Sequence, residues 1–262
     1  VTDDEGFKSG QLLDMPNHFF LGSRIVSNIA FPQKKINEEG LDKLKGSYLK
    51  MGNLKTYSIK FYYILKQIKK ADGPVFIYSN FKNFGGIMSF VRVLNSNGYK
   101  NFLGYGEGKK RYAVWSGDNN RKQRDLIRDI YNQKSNKDGS KLLIILGTPS
   151  IKEGVSLLRV NQVHILEPYW NMSLLNQVIG RAVRFCSHKD LPKSKRYVNV
   201  YLYLSVYKNN KNTIDTYIWN TAKKKNNIIT DLEKVIKEAS IDCKLNYNGN
   251  VYNKKENYKC IK

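Results

Sequence analysis

The chain has three cysteines, at 186, 243 and 260, and no Cys-x-x-Cys pair. An odd number at that spacing argues against a disulfide framework and against a structural zinc site. His18, His164 and His188 are too scattered to suggest a metal centre. These counts fit a reducing, intracellular setting. No apolar run approaches the ~20 residues that cross a bilayer, and no charged-then-apolar leader opens the chain, so no membrane partner is expected. There are no internal repeats. Acidic residues are scarce, with 22 Asp and Glu against 45 Lys and Arg. The most consequential absence is a phosphate loop of the form G-x-x-x-x-G-K-S/T, together with any Asp-Glu pair that would hold Mg²⁺. Lys109 and Lys110 follow Gly106 and Gly108, but in the wrong order and spacing. Without that loop and that pair, a chain is not expected to bind or split a nucleoside triphosphate well by itself. A nuclease or methyltransferase would need a carboxylate cluster or a Gly-rich loop after the first strand, and neither is visible. The chain starts at Val1 in an acidic stretch (Asp3, Asp4, Glu5) rather than at Met, as expected of a piece of a longer protein.

What is present is a hydrophobic fraction of 41% in 262 residues, enough for one large domain or two small ones. The net charge of +23 predicts attraction to a polyanion, most simply DNA or RNA. Wealth in Lys, Asn, Tyr and Ile also fits the composition of an AT-rich genome. Basic residues cluster at Lys34-Lys35, Lys109 to Arg111 and Lys223 to Lys225 without forming one stripe.

The first ~50 residues read as short strand-like or turn segments around Phe19, Phe20, Ile25, Ile29 and Phe31, broken by Pro32. Helical period runs over 54–70. Strand and helix then alternate. Strands are expected at 75–79, 112–117, 141–147, 163–168 and 197–206. Helices are expected over 84–97, from a cap at Asp118 or Asn119 to about 131, and over 172–184. Gly98 would stop the first of these. That alternation implies parallel strands with right-handed crossovers, and strands apolar throughout imply a sheet covered on both faces. A last amphipathic helix over 213–236 starts at a Thr213 cap, with apolar residues at 214, 218, 222, 229, 232 and 236. Beyond Asp242 the polar, turn-rich sequence predicts poor order. The expected division is a linker over 1–53, an α/β domain over 54–206, a helical extension over 207–245 and a tail over 246–262.

Chemistry concentrates in three segments. In QVIGRAVR (177–184), Arg181 and Arg184 lie about one helical turn apart, so both can reach one target. Gly180 permits a helix start or a close approach to phosphate. Two converging guanidiniums suit a triphosphate, whose oxygens accept forked, charge-assisted hydrogen bonds. The alternative is a basic surface helix making ion pairs. In GTPSIKEGVSLL (147–158), Thr148 follows a buried strand, where its hydroxyl can meet a backbone phosphate. Glu153-Gly154 opens a tight turn, and an ordinary strand-to-helix loop would look the same. In EPYWN (167–171), Tyr169 and Trp170 either stack on a base or form a hinge packed on their own domain, and the hinge is favoured.

In this order the segments resemble the second RecA-like lobe of superfamily 2 helicases and translocases. YSN after the first strand looks like the fourth motif, GTPSIKEGVS like the fifth and QVIGRAVR like the sixth. EPYWNMSLLNQVIGRAVR is similar to Snf2-type translocases. RFCSHKDLP (184–192) and KEASIDC (237–243) bring a closer likeness to helicase-like NTPases and early transcription factors of large DNA viruses, poxvirus-type among them. The resemblance implies a RecA-like, phosphate-loop-NTPase-related fold, with three layers, a mostly parallel central sheet and a C-terminal helical extension. Arg181 and Arg184 would face a γ-phosphate as arginine fingers, with Gln177 coupling nucleotide to helix. Glu153, Gly154, Ser156 and Gly180 would line the nucleotide side. Ser79, Asn80, Thr148 and Ser150 would touch the nucleic-acid backbone. Ser156 stands where many relatives carry Asp or Asn, and Val178 where Arg is common.

The resemblance also implies an ATP-dependent helicase or NTPase in the full-length parent. ATP and Mg²⁺ would be held mainly by an N-terminal RecA-like lobe, and this piece alone would be inactive. Viral transcription or genome processing is implied, with a viral RNA polymerase as a possible partner and a viral factory or virion as the setting. The competing reading is a non-catalytic module that grips DNA or docks on a polymerase.

Overall fold

The computed structural model describes residues 20–32, 35–152, 155–208, 212–250 and 259–260. In chain order the longer elements are α1 (Leu21–Asn28), α2 (Glu38–Lys43), α3 (Leu54–Tyr57), α4 (Ile59–Ile68), β1 (Val75–Tyr78), α5 (Ile87–Ser96), β2 (Lys100–Asn101), α6 (Phe102–Tyr105) and β3 (Arg111–Trp115). There follow α7 (Arg121–Tyr131), β4 (Ile144–Gly147), β5 (Gln162–Ile165), α8 (Met172–Ile179), β6 (Asn199–Leu202), α9 (Ile214–Ala239), α10 (Ile241–Leu245) and α11 (Tyr247–Asn250). The strands form one sheet in the order β2-β3-β4-β1-β5-β6, and every pairing is parallel. The expected three-layer α/β architecture with a C-terminal helix is therefore the observed one. All strands end at one edge, where functional loops of open parallel sheets collect.

The central strands are buried throughout, so their side chains divide between two cores. Val75, Ile77, Ile144 and Leu146 face a cluster that takes in Leu21, Ile25 and Ile29 of α1 with Phe61, Ile64 and Leu65 of α4 and Phe90 of α5. Phe76, Tyr78, Ile145, Val163 and Ile165 face the other, with Ile127 of α7 and Leu175 and Val178 of α8. The expected boundary at 53/54 falls inside the first cluster.

Several expectations need correction. Leu21, Ile25 and Asn28 share a helix face, so the segment read as strand or turn is α1. The helix expected over 54–70 breaks at Ser58, whose hydroxyl accepts from Phe61 N and donates to Asn28 O at 2.5 Å. Asn120, rather than Asp118 or Asn119, caps α7 through a box with Gln123. Asn119 Oδ1 is already taken by Ser116 N, and Asp118 pairs with Lys82.

Thr213 caps α9 as expected. Ile218 and Ala222 are buried, but no side chain from Lys223 to Ala239 is. Ile229, Leu232 and Ile236, the distal half of the apolar stripe, are exposed. Cysteine arithmetic also misled. Cys243 is buried and bonded to Cys260, with Cα atoms 5.7 Å apart, where Glu238 Oε1 accepts from Lys259 N. The expectation of a reducing setting loses that support. Cys186 is unpaired and exposed. Part of the expected disordered tail is helical (α11), and the rest lies largely outside the described residues. Among the described residues, no helix is long and apolar enough to cross a membrane.

Candidate nucleotide and nucleic-acid site

At the sheet's C-terminal edge, β1 and β4 end side by side, and Ser79 N donates to Gly147 O. Thr148 is buried, and its hydroxyl lies 3.2 Å from Trp115 O and 3.1 Å from the Ser150 hydroxyl. Ser79 is also buried, and its hydroxyl donates to the Glu167 carboxylate at 3.0 Å. Asn80 is half-buried. Its backbone N–H donates to Glu167 Oε1 at 2.6 Å, and its Oδ1 accepts from Tyr78 OH at 2.9 Å. Burial raises the pKa of the Tyr78 hydroxyl, which keeps it a donor. The turn after β1 and the turn after β4 therefore stand together, held mainly by internal bonds.

The second gathering joins the fifth- and sixth-motif segments. Helix α8 ends at Ile179, with Gly180 as its cap in right-handed helical geometry. The helix expected to run to 184 ends instead in tighter turns, with Arg181 N on Val178 O and Ala182 N on Ile179 O, and the chain beyond it is tied to the fifth-motif segment. Leu157 N takes Arg181 O at 2.9 Å, and Arg159 N takes Ser187 O at 3.0 Å. Arg181 and Arg184 consequently sit in a run of turns rather than on a helix face. A Cβ on Gly180 would lie 3.1 Å from Asn176 O, so the close turn favours glycine. Arg184 Nη1 donates to Ser156 Oγ at 2.5 Å, and its Nε donates to Gly180 O. Both acceptors are neutral, so the guanidinium keeps its full charge for an anion. Partial burial and then the charge of Arg184 lower the pKa of Arg181. Like charges that act on one another in this way are relieved by a multiply charged anion. Gln177 is exposed on α8. Glu153 and Gly154 lie outside the described residues.

A cavity of about 740 Å³ opens beside Ser156, walled by Asn132, Leu158 and the α7 arginines Arg121, Arg124 and Arg128. Asn132 fixes the loop: its Nδ2 donates to Ser156 O and its Oδ1 accepts from Leu158 N, both at 2.8 Å. Arg159 is buried with a positive φ of 58°, a costly conformation for a side-chain-bearing residue. Its ion pair with Asp190 at 2.8 Å and its bond to Asn132 O hold it there. Sequence reasoning missed Asn132 and Arg159, which no motif marks, and gave no role to Asp190 within RFCSHKDLP.

It also missed a buried polar network behind the site. Lys60 pairs with Asp215 at 2.5 Å, and both are buried. Lys60 Nζ also donates to Asn28 Oδ1, and Asn28 Nδ2 donates to Glu167 Oε2 at 3.1 Å. Arg24 is buried over the Phe81 ring, 4.8 Å from its centroid. Burial raises the pKa of Glu167, while bonds from Asn80 and Ser79 and the charges of Lys60 and Arg24 pull it down. A signal existed: Lys60, Ile64 and Ile68 fall four apart, placing a lysine on the apolar stripe of α4. Tyr169 packs against the α7–α8 core of its own domain, and the Trp170 ring stands edge-on to Tyr217 of α9, at the start of the C-terminal extension, at 6.1 Å.

Residues 59–186 match the helicase conserved C-terminal domain, and residues 188–260 match the nucleoside triphosphatase I C-terminal domain. The chain belongs to the superfamily 2 helicases as a C-terminal lobe. The lobe is 45% identical over 247 residues, 94% of its length, to a protein of Acanthamoeba polyphaga mimivirus named as an ATP-dependent RNA helicase, R563. It is 31% identical over 228 residues, 84% of its length, to nucleoside triphosphatase I of Heliothis armigera entomopoxvirus. It spans 43% of the first relative and 33% of the second, less than half of either. A solved structure of the C-terminal part of the Fun30 ATPase domain aligns over 63% of the lobe and 45% of its own chain, at 19% identity and a TM-score of 0.48.

Proposed function

We propose that the lobe is the second motor lobe of a nucleic-acid-dependent NTPase, in which Arg181 and Arg184 act as arginine fingers on ATP held by another lobe. The observation that carries this is the joining of the fifth- and sixth-motif segments, with Arg184 Nη1 on Ser156 Oγ and Leu157 N on Arg181 O. It presents the Arg184 guanidinium beside a hydroxyl, near enough to Arg181 for the two positive charges to act on one another. In hydrolysis, water attacks the γ-phosphorus and the bond to the bridging oxygen breaks, so negative charge gathers on the phosphoryl and leaving oxygens. Arg181 and Arg184 donate N–H bonds to those oxygens, Ser156 and Gly180 hold the fingers in place, and Gln177 couples nucleotide to α8. Glu153 and Gly154 belong to the same nucleotide side. Ser79, Asn80, Thr148 and Ser150 form the part of the lobe that meets the nucleic-acid backbone.

This donor set suits phosphate oxygens and does not suit Mg²⁺, which takes carboxylate and water oxygens. The cation and the phosphate cradle therefore belong to the N-terminal lobe of the parent, and the isolated chain is inactive. The viral sources of the relatives support a viral setting, and a role in viral transcription or genome processing, alongside a viral RNA polymerase, is part of the same reading.

Steady-state NTPase of the full-length protein tests the reading. Arg184→Ala and Arg181→Ala should each lower turnover by ~10³–10⁵ without changing the melting curve. Arg184→Lys should rescue poorly, because an ammonium lacks the planar fork. The isolated lobe should release phosphate only at background. Near-parental turnover in either alanine variant, or an unfolded variant, would make that arginine structural.

A further inference from the structure

Glu167 stands where the two halves of the site meet. It lies two residues beyond β5 and is almost fully buried. Four residues, Pro168 to Asn171, separate it from α8, and the fingers follow the far end of that helix. That strap is stiff. Pro168 has a fixed φ, Tyr169 packs on the core, Trp170 abuts Tyr217, and Asn171 caps α8 through Ser173 N at 2.8 Å.

On its other side Glu167 holds the turn assigned to nucleic acid. Oε1 accepts from Asn80 N at 2.6 Å and from Asn80 Nδ2 at 3.4 Å, and both oxygens accept from the Ser79 hydroxyl. The carboxylate is anchored from behind by Asn28, which is itself held by Lys60.

We propose that Glu167 is a positioning residue that couples the nucleotide side of the lobe to its nucleic-acid side. A shift of α8 and the fingers on nucleotide binding travels along the strap to the carboxylate, which moves the Ser79-Asn80 turn. Nucleic acid pressing on that turn acts on the fingers by the same route. The inference rests on the assignment of Asn80 and Arg184 given above. Only a carboxylate serves, because each of its oxygens receives donors and neither can be replaced by a donor. In Glu167→Gln, one arrangement of the amide keeps the bond from Asn80 N and points Nε2 at Asn28 Nδ2, donor against donor. The other arrangement loses Asn80 N.

The test measures NTPase of the full-length protein with and without saturating single-stranded DNA, and again with RNA, beside a melting curve. Glu167→Gln should leave basal hydrolysis unchanged. It should reduce stimulation by nucleic acid by roughly 5- to 150-fold, the usual span of coupling between two sites. Asn28→Ala loosens the carboxylate from behind while leaving the Asn80 bond, and should show the same pattern more weakly. If the parental protein is not stimulated by either nucleic acid, or Arg184→Ala keeps its turnover, the functional reading fails and the coupling with it. If both of those hold and a folded Glu167→Gln is stimulated normally, the coupling alone is overturned. Should Glu167→Gln melt, Asn28→Ala decides. Selective loss of stimulation supports the coupling, and normal stimulation or parallel loss of basal and stimulated rates rejects it.

Discussion

His164 lies in β5, stacked against Tyr201 with ring centroids 5.0 Å apart. Its Nδ1 is 2.8 Å from Tyr203 OH and its Nε2 is 3.0 Å from Gln162 Oε1. The amide of Gln162 donates to Gln67 O, so its oxygen faces the imidazole and can only accept. Nε2 therefore carries the proton and Nδ1 accepts from the tyrosine. Burial holds this imidazole down to about 3, well below an ordinary histidine. The folded value lies below the unfolded one, so as pH falls the unfolded chain takes up the proton first. The stability at stake is present above about pH 6.5 and is lost as pH drops toward 3, amounting to roughly 2 kcal/mol by pH 5. Glu167, with its raised pKa, acts in the opposite sense, so a paired comparison is needed to isolate the histidine. Urea unfolding at pH 7 and pH 5 should show a smaller acid loss for His164→Gln than for the parent. Equal losses would place the acid sensitivity elsewhere. At this scale the sequence was legible where a motif spoke and silent where a partner was distant. Arg181, Arg184 and Ser156 are named by their motifs, and the structure brings them together. Nothing in the local sequence around Asp215 announces Lys60, although a lysine in register with Ile64 and Ile68 was a visible warning.

Elements were legible where their determinants are local. The runs VFIY and IILG are apolar throughout because they lie between two covered faces, and they formed strands where expected. Thr213 carries its capping chemistry within four residues, and α9 starts there. Determinants supplied from far along the chain were not legible. Beyond α8 the chain runs in turns whose carbonyls at Arg181 and Ser187 are taken by Leu157 and Arg159, and α4 starts afresh because the hydroxyl of Ser58 has Asn28 O to bond. The Cys243–Cys260 link is of the same kind, since a separation of 17 residues carries no metric that fixes a pairing. Closing a loop of about that length stabilises by ~3 kcal/mol in the chain-entropy account. Among the described residues this link joins α10 to Cys260, so the effect should stay local. Limited proteolysis followed by mass spectrometry should show faster cutting beyond Ser240 in Cys260→Ser, or with reductant, while the melting temperature of the sheet stays put. A fall in that temperature, or an unchanged cutting pattern, would count against a local staple.

For the whole molecule, charge is the dominant long-range fact. A net +23 gives a strong field, but the basic clusters are dispersed, so few phosphates can be engaged at once. Binding of the chain to nucleic acid should therefore be weak and steeply dependent on salt. Each neutralised phosphate should contribute about −0.7 to −0.9 to the slope of log K against log salt. Fluorescence anisotropy from low to physiological salt measures it, and a flat response would mean that charge is not what attracts the ligand.

The order of strands in the sheet sets a timetable for synthesis. β1 is central, yet its neighbours β4 and β5 both come later in the chain. As the ribosome works, the first strand made must wait with both edges open, and an open apolar edge invites pairing with another chain. Lys60 waits longer still, since its counter-charge is Asp215. At ~5–20 residues per second that interval is roughly 8 to 30 seconds. A nascent chain halted before Asp215 would have to bury Lys60 without its carboxylate, and a buried charge stripped of its partner costs about 3–5 kcal/mol. The lobe therefore closes late in its own synthesis, when the start of α9 arrives.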